Sequence, residues 1–217
     1  DYLDLIDSFD WDMTLIQYNY MDENNQAGRS GLEYAASKGL PTFIMEPLRG
    51  GRLVNALPQD VADRFAQTGR KPADWALRWI LNHEQPTCVL SNMLDDSQLD
   101  ENVATASDAH PGCMNDEELA MFADIKKSIF EKTKVGCTGC GYCMPCPFGV
   151  DIPACFSCYN DAYLQSAPKA RKQYMQVRGD LRQPQLCLAL HRMRQKREAL
   201  RAAYPYTCRA EKRRQGY

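Results

Sequence analysis

Residues 41–51 read Pro-Thr-Phe-Ile-Met-Glu-Pro-Leu-Arg-Gly-Gly, and this stretch decides the fold. Its first five residues form a short apolar run, which predicts a buried β-strand. Residues 46–51 combine Pro with Gly and predict a loop at the carboxyl end of that strand. A strand that leads through such a loop into a helix is the repeating unit of a parallel α/β fold.

The same unit is predicted on both sides of this stretch. Two more buried strands are predicted, at 14–20 and 87–91. Helices are predicted at 1–12, 31–38 (ended by Gly39), 58–67 and 72–82 (with Pro72 in the first turn), and after a cap at 95–97. Three parallel strands leave the edges of their sheet open, so we expect the chain to be a piece of something larger.

Three helices are predicted toward the carboxyl end, at 114–134, 153–165 and 168–177. Asn115 lies at the start of the first of them and is its predicted cap, and Glu118 follows three residues later, which is a capping-box pattern. The apolar face predicted for this helix consists of Leu119, Met121, Phe122, Ile125, Ile129 and Phe130.

Composition excludes several classes of protein. The 217 residues suffice for one or two domains, and 44% hydrophobic with 25% charged residues is typical of soluble globular proteins. The net charge of −2 does not indicate a nucleic-acid partner, and no apolar run approaches the roughly 20 residues of a membrane span. The opening Asp-Tyr-Leu-Asp has neither an initiator Met nor a signal-peptide pattern, so we expect the natural start to lie elsewhere.

A second stretch, 137–147, reads Cys-Thr-Gly-Cys-Gly-Tyr-Cys-Met-Pro-Cys-Pro. Cys137, Cys140, Cys143 and Cys146 are each separated by two residues, a spacing that lets neighbouring thiolates converge on one metal centre. The glycines between them permit a tight loop. Three such steps and a closing Cys-Pro favour an iron–sulfur site, whereas zinc sites usually pair two Cys-x2-Cys halves across a longer gap.

Zinc ligation and a disulfide remain alternatives for this loop. The bacterial 4Fe–4S pattern is C-x2-C-x2-C-x3-CP, and the last spacer here is one residue short. The first three cysteines are therefore the predicted ligands of one cluster, and the partner of Cys146 stays open. Four of ten cysteines in one loop indicate a reducing compartment, so we expect the cytoplasm.

Other residues with chemical potential are expected to pack. Cys155 and Cys158 form a further Cys-x2-Cys but flank Phe156 in a predicted helix, so packing is favoured over ligation. Cys88 lies in a predicted strand and is assigned to the core. Trp75 and Trp79, four residues apart, are also predicted to pack.

Several motifs resemble the last strands of an aldo/keto reductase. They are Gln17-Tyr18-Asn19-Tyr20, Ile44-Met45-Glu46-Pro47-Leu48-Arg49-Gly50-Gly51, and Val89-Leu90-Ser91-Asn92-Met93 followed by Gln98, Glu101 and Asn102. The cysteine loop, with Asp151-Ile152-Pro153 and Tyr159-Asn160 after it, is similar to the branch of that family that has a C-terminal 4Fe–4S ferredoxin-type domain. The resemblance covers roughly residues 1–180.

The resemblance implies the last three β/α units of a TIM (β/α)8 barrel, followed by a mostly α-helical 4Fe–4S ferredoxin-type domain. The corresponding domains are 1–134 for the barrel part, 135–180 for the cluster domain and 181–217 for a basic tail. It also implies NADPH bound across the strand ends, hydride transfer to or from a small carbonyl substrate, and an electron-transfer partner for the cluster.

The resemblance further implies a set of cofactor-binding residues. Gln17 would hold the nicotinamide amide, and residues Glu46, Pro47, Leu48, Gly50 and Gly51 would surround the pyrophosphate. Glu101 and Asn102 would hold the adenine, with Gln98 beside them and Asn92 where the family has Gly. Each has a plainer alternative: a polar core residue for Gln17, an ordinary turn for the loop, and solvated helix positions for Glu101 and Asn102.

The catalytic residues implied by the resemblance lie on earlier strands. The family's proton-donor Tyr and its supporting Asp, Lys and His have no counterpart in this chain. Tyr18 and Tyr20 belong to the wrong strand for that role. We therefore expect this fragment to be inactive alone.

The carboxyl end changes character. From Lys169 onward there are 14 Lys and Arg against three acidic residues. A basic tail indicates an anionic partner, so the alternative function is a zinc-stapled binding module. The family would instead have a second cysteine motif here, but only Cys187 and Cys208 occur.

A frameshift would explain the missing motif. Residues 190–206 can be written in permitted codons that read, one base over, as Cys-Thr-Gly-Cys-Gly-Lys-Ser-Glu-Lys-His-Cys-x-Gln-His-Ile-Pro. That is the expected motif with one Ser in a cysteine position. We hypothesise a frameshift between about 180 and 190, after which the encoded residues are not native.

Overall fold

The computed structural model describes residues 2–137, 139, 141–146 and 150–180. These residues form two compact units, which are considered separately. The first contains residues up to Lys134 together with Tyr163–Ser166, and the second contains the described residues of Val135–Ala162 and those from Ala167 to Asp180. The basic tail and the hypothesised frameshift lie outside the described residues.

The first unit is α/β, with a three-stranded parallel sheet as predicted. The strands are β1 (Thr14–Gln17), β2 (Thr42–Met45) and β3 (Pro86–Val89), in the order β1-β2-β3. Gln17 pairs with Met45, and Ile44 pairs with Val89. The strand predicted at 14–20 ends earlier because the backbone turns at Asn19, whose carbonyl accepts from the N–H of Asp22 at 3.0 Å.

Nine helices occur in the described residues. They are α1 (Tyr2–Asp7), α2 (Gly28–Ser37), α3 (Arg52–Asn55), α4 (Gln59–Gln67), α5 (Pro72–Leu81), α6 (Asp96–Asp108), α7 (Asp116–Lys132), α8 (Ile152–Leu164) and α9 (Ala167–Asp180). Helix α2 begins three residues before its predicted start, and the single turn α3 was not predicted. In the part of the chain that the structure describes, no helix combines the length and the apolar character that crossing a bilayer requires.

The predicted helix caps are confirmed. The side chain of Asn115 accepts from the N–H of Glu118 at 2.9 Å, and the Glu118 carboxylate accepts from the N–H of Asn115 at 3.0 Å. The carboxylate of Asp95 accepts from the N–H of Gln98 at 2.9 Å, at the start of α6. These contacts satisfy backbone donors that a helix cannot satisfy itself.

An aromatic cluster forms the centre of the first unit. The Phe122 ring lies 5.1 Å from that of Tyr20 and 6.0 Å from that of Trp75, measured between centroids. Trp75 and Trp79 are buried, which confirms the packing role predicted for them. Helices α5 and α7 thus supply the large side chains of this core.

Two residues predicted on the buried face of α7 are exposed. Leu119 is 39% and Phe130 is 48% exposed, whereas Phe122, Ile125 and Ile129 are buried. Phe130 follows Ile129 by one residue, which rotates it about 100° away from the core-facing stripe. Leu119 lies in the first turn, one turn before Phe122 provides the first deep contact of this helix.

Within the residues that the structure describes, one face of the sheet is largely uncovered. Ile16 and Ile44 point toward the core and are 3% and 0% exposed. Leu15, Phe43 and Cys88 are neighbours in the strand register and occupy the opposite face, where Leu15 is 47% exposed. Cys88, assigned to the core from the sequence, is only half-buried. Parallel sheets ordinarily bury both faces, so we expect further residues to pack against this apolar face in the complete protein.

His83 is a half-buried histidine of the first unit. Its Nδ1 donates to the carbonyl oxygen of Trp79 at 2.9 Å, and its Nε2 lies 3.4 Å from the hydroxyl of Tyr18. Burial lowers the pKa of His83, and the positive charge of Arg29 adds to the effect. Folding therefore favours the neutral imidazole over the protonated one.

We expect the free energy of unfolding to fall as the pH drops below about 6.5, the ordinary pKa of histidine. In this range the unfolded chain binds a proton at His83 that the folded chain resists. Urea unfolding at about pH 7.5 and about pH 5.5 measures the effect, with His110→Gln as the control at an exposed histidine. A His83→Gln variant should lose less stability between these pH values, and an equal loss would contradict the assignment.

Candidate functional site

Two predicted site segments adjoin at the carboxyl ends of β1 and β2. Gln17 is the last residue of β1 and pairs with Met45, the last residue of β2. The loop 46–51 starts directly after Met45, so Gln17 and the first residue of this loop lie close together. In open α/β sheets the carboxyl ends of the strands are where ligands bind.

The loop 46–51 has an unusual backbone. Four of its six residues have positive φ: Glu46 at 56°, Arg49 at 52°, Gly50 at 61° and Gly51 at 78°. Positive φ is uncommon for residues other than Gly, and backbone strain of this kind concentrates at binding and catalytic sites. A Cβ on Gly50 would meet only Glu46 Oε2, at 3.9 Å, so conformation rather than space requires Gly there.

Hydrogen bonds tie the two segments together. The Nδ2 of Asn19 donates to the carbonyl oxygen of Glu46 at 3.0 Å, joining the residues after β1 to the start of the loop. Within the loop, the N–H of Arg49 donates to the same carbonyl at 3.1 Å. The left-handed residue Glu46 is therefore held from both sides.

Gln17 is nearly buried and its amide has two partners. Its Nε2 donates to Asp22 Oδ2 at 3.0 Å, and its Oε1 accepts from the Nε2 of Gln26 at 3.3 Å. Gln17 is 9% exposed. Gln17 was predicted as a site residue from the sequence, whereas its partners Asp22 and Gln26 were not.

Asp22 is the residue that sequence reasoning missed. It is 1% exposed, and besides Gln17 its carboxylate accepts from Asn19 at 3.0 Å, from Asn25 at 2.6 Å and from Arg49 Nε at 3.3 Å. A signal was present: Asn19, Asp22 and Asn25 recur at intervals of three directly after a buried strand. This segment was interpreted only as a polar loop.

Helix α6 contains three further predicted cofactor residues. Asn102 Nδ2 lies 3.4 Å from Ser91 Oγ, which joins α6 to the residues after β3. Glu101 accepts from Lys71 Nζ at 2.6 Å and from Ser97 Oγ at 3.0 Å, and the hydrogen bond from Lys71 lowers the pKa of Glu101. Glu101 is therefore engaged locally, while Asn102 faces the strand end.

Gln98 lies in the first turn of α6, and Asn92 lies in the connection between β3 and α6. The Nε2 of Gln98 donates to Asp95 Oδ2 at 3.1 Å, and its Oε1 accepts from the N–H of Leu94 at 3.0 Å. Gln98 thus stabilises the turn that starts α6. Asn92 follows β3 by three residues and is exposed.

In the second unit, a buried Asn anchors the start of the cysteine loop. Asn160, on α8, accepts from the N–H of Val135 at 2.9 Å and donates to its carbonyl oxygen at 2.8 Å. Both hydrogen-bonding groups of Val135 are satisfied by one side chain, two residues before Cys137. From the sequence, Asn160 was noted only as part of a motif. Its two hydrogen bonds to Val135 fix the backbone at the start of the cysteine loop.

The loop itself turns at its glycines. Gly139 and Gly141 each have φ of 75°, the left-handed conformation that the sequence analysis expected them to permit. The N–H of Met144 donates to the carbonyl oxygen of Gly141 at 2.8 Å and closes a turn between two cysteines.

The described cysteines have different surroundings. Cys137 is half-buried, Cys143 is exposed, and Cys146 is buried in a small cluster with Val150 and Cys155. Cys140 lies outside the described residues. Among the residues that are described, no three His, Cys, Asp or Glu side chains are grouped so as to hold a metal ion. The iron–sulfur cluster therefore stays a prediction.

Cys155 and Cys158 are both buried in α8, as a packing role requires. Burial raises the pKa of the Cys155 thiol, and the negative charge of Asp151 adds to the effect. Both factors disfavour the thiolate form, which is the form that binds metal.

The donor chemistry of both segments suits the groups that the resemblance implies. A loop whose only metal-binding side chains are four thiolates matches an iron–sulfur centre. Beside β1 and β2, the buried carboxamide of Gln17, the guanidinium of Arg49 and the backbone of Gly50 and Gly51 are groups of the kind that bind amides and phosphates.

Comparison with known proteins adds no assignment. No model of a known protein family matches this chain, and no curated protein matches it in sequence.

Proposed function

We propose that this chain is the C-terminal part of an NADPH-dependent oxidoreductase of the aldo/keto reductase type that also binds a 4Fe–4S cluster. The observation that carries the proposal is the strained loop 46–51 at the ends of two parallel strands, which Asp22 connects to the buried Gln17 amide by accepting from both Gln17 and Arg49. Strain of this kind is maintained where a ligand uses it.

The dinucleotide would lie along the carboxyl edge of the sheet. Gln17 would bind the carboxamide of the nicotinamide, and the backbone of Gly50 and Gly51 would approach the pyrophosphate. Asn102 would bind the adenine from α6, where its contact with Ser91 already directs it toward the end of β3. NADPH, when bound, supplies a hydride to a carbonyl carbon, and the oxidised form accepts one in the reverse direction.

The part played by this chain is to bind and orient. It would bind the nicotinamide carboxamide through Gln17, whose own amide is nearly buried and so largely shielded from water. The proton donor that a carbonyl reduction needs would come from strands that precede this chain. The uncovered apolar face around Leu15 and Phe43 supports such additional strands, since a parallel sheet buries both faces.

The cluster would be held by Cys137, Cys140 and Cys143. The cluster, when bound, passes single electrons or stabilises the fold around it. Cys146 is buried against Val150 and not at the exposed end of the loop with Cys143, which supports a separate role for it. Thiolate ligation of iron also supports the cytoplasm as the compartment.

The dinucleotide assignment predicts a weakened site in an Asn102→Ala variant. In the full-length gene product we expect the Kd for NADPH to rise about tenfold, because one hydrogen bond to the adenine is lost. Fluorescence titration measures the affinity. Ser107→Ala, on the same helix and exposed, serves as the matched control. Unchanged affinity in Asn102→Ala would remove the adenine assignment.

A further inference from the structure

The hydrogen-bond network around Asp22 fixes which way the Asn19 amide is turned. Asn19 Oδ1 accepts from the backbone N–H groups of Met21 and Asp22, both at 3.0 Å. Its Nδ2 faces the carbonyl oxygen of Glu46 at 3.0 Å. Backbone groups cannot exchange donor and acceptor roles, so the Asn19 amide is fixed.

The polarity of Asp22 follows from its unambiguous neighbours. The Nδ2 of Asn19 and the Nε of Arg49 lie 3.0 and 3.3 Å from Oδ2, and both can only donate. A carboxylate oxygen surrounded by donors acts as an acceptor. The atom of Gln17 that lies 3.0 Å from the same oxygen must therefore be its amide nitrogen.

This arrangement leaves the Oε1 atom of Gln17 able to accept a further hydrogen bond. This atom is directed away from Asp22 and, from the described part of the chain, receives only the long 3.3 Å bond from Gln26, an exposed residue. A carbonyl oxygen has two acceptor positions, so Oε1 can accept one further hydrogen bond. A ligand group that meets Oε1 has to be a donor.

We propose that Asp22 is a positioning residue that locks the Gln17 carboxamide with its oxygen toward the ligand, so that the site selects a carboxamide over a carboxylate. This inference rests on the proposed dinucleotide function. The carboxamide of a nicotinamide offers an N–H to Oε1. The corresponding acid offers only oxygen atoms and a negative charge, and it leaves Oε1 facing an acceptor.

Asp22 also couples this choice to the strained loop. Arg49, with φ of 52°, donates to Asp22, and Asn19 joins Asp22 to the carbonyl of Glu46. Removing the carboxylate thus frees the amide of Gln17 to rotate. It also weakens the contacts that hold the loop at Glu46 and at Arg49. Selectivity and affinity are expected to change in one variant.

The test compares two ligands that differ in one group. NADP⁺ carries the carboxamide, and nicotinic acid adenine dinucleotide phosphate carries a carboxylate in its place. Calorimetric titration of the full-length gene product is expected to give about 100-fold tighter binding of NADP⁺. In Asp22→Ala this ratio should fall to about tenfold or less, since Gln17 then lacks the acceptor at Asp22 Oδ2 and can rotate and donate to the acid. Asp22→Ser, whose hydroxyl is too short to replace the carboxylate, should give the same loss.

The control is Asp124→Asn, which alters an exposed carboxylate paired with Arg64 at 3.2 Å and should keep the ratio. Thermal unfolding establishes which variants are folded, and the ratio is compared among those. A wild-type protein that binds NADP⁺ selectively and an Asp22→Ala or Asp22→Ser protein with the same ratio would overturn the role of Asp22 and leave the proposed function intact. A wild-type protein that binds neither ligand would overturn both.

Discussion

Replacing Cys137, Cys140 or Cys143 with Ala is expected to remove most of the iron from anaerobically purified protein. Each of the three is a proposed ligand of the same cluster, and the loss of one thiolate opens a coordination position. The expected loss exceeds half of the wild-type iron for every one of the three variants. Iron per chain and the broad visible absorbance of the cluster measure it.

Cys155→Ala and Cys158→Ala are the matched controls. Both residues are cysteines of the same unit, both are buried in α8, and burial raises the pKa of Cys155. We expect these two variants to retain nearly all of the iron. If either of them loses it while a loop variant keeps it, the proposed ligand set is wrong.

Restoring the reading frame after about residue 180 is expected to raise the iron content from at most one cluster to two, or to about eight iron atoms per chain. In two-cluster ferredoxins the Cys-Pro cysteine of one motif ligates the other cluster. Cys146 would then have the partners that the present tail lacks, since that tail offers only Cys187 and Cys208. The first cluster would gain its fourth ligand as well.

The coding DNA decides whether such a frame exists. The hypothesis requires that the bases for residues 190–206 read, one position over, as two Cys-x2-Cys-like steps followed by His-Cys. DNA that cannot be read in this way removes the hypothesis. The excess of Lys and Arg after Lys169 would then be a native feature, as expected of the alternative binding module.

The sequence was sufficient where structure is determined locally. The capping box at Asn115 and Glu118 and the left-handed glycines Gly139 and Gly141 follow from residue chemistry over a few positions, and both are confirmed. The strand and helix order was predictable for the same reason. Strand boundaries differ from the prediction where a side chain competes with the hydrogen bonds between strands. Asn19 does so after β1, because its Oδ1 accepts from the N–H groups of Met21 and Asp22.

The polar hub at Asp22 could not be predicted, because it depends on tertiary burial. A loop rich in Asn and Asp is ordinarily exposed, yet Asp22 is 1% exposed. Arg49, far along the chain, provides the charge that makes this burial tolerable. The positive φ of Glu46 was equally hidden, since only Gly signals that conformation in a sequence. Phe130 shows the converse error, an apolar residue assigned to the core by pattern alone.

The central claim is that this chain combines a dinucleotide site with an iron–sulfur loop, and its most direct test is the metal content of anaerobically purified protein. Iron, acid-labile sulfide and zinc are measured on the same sample. We predict iron and sulfide in equal amounts, a brown colour that bleaches on reduction, and little zinc. Colourless protein with one zinc per chain would contradict the account and favour the zinc-stapled binding module.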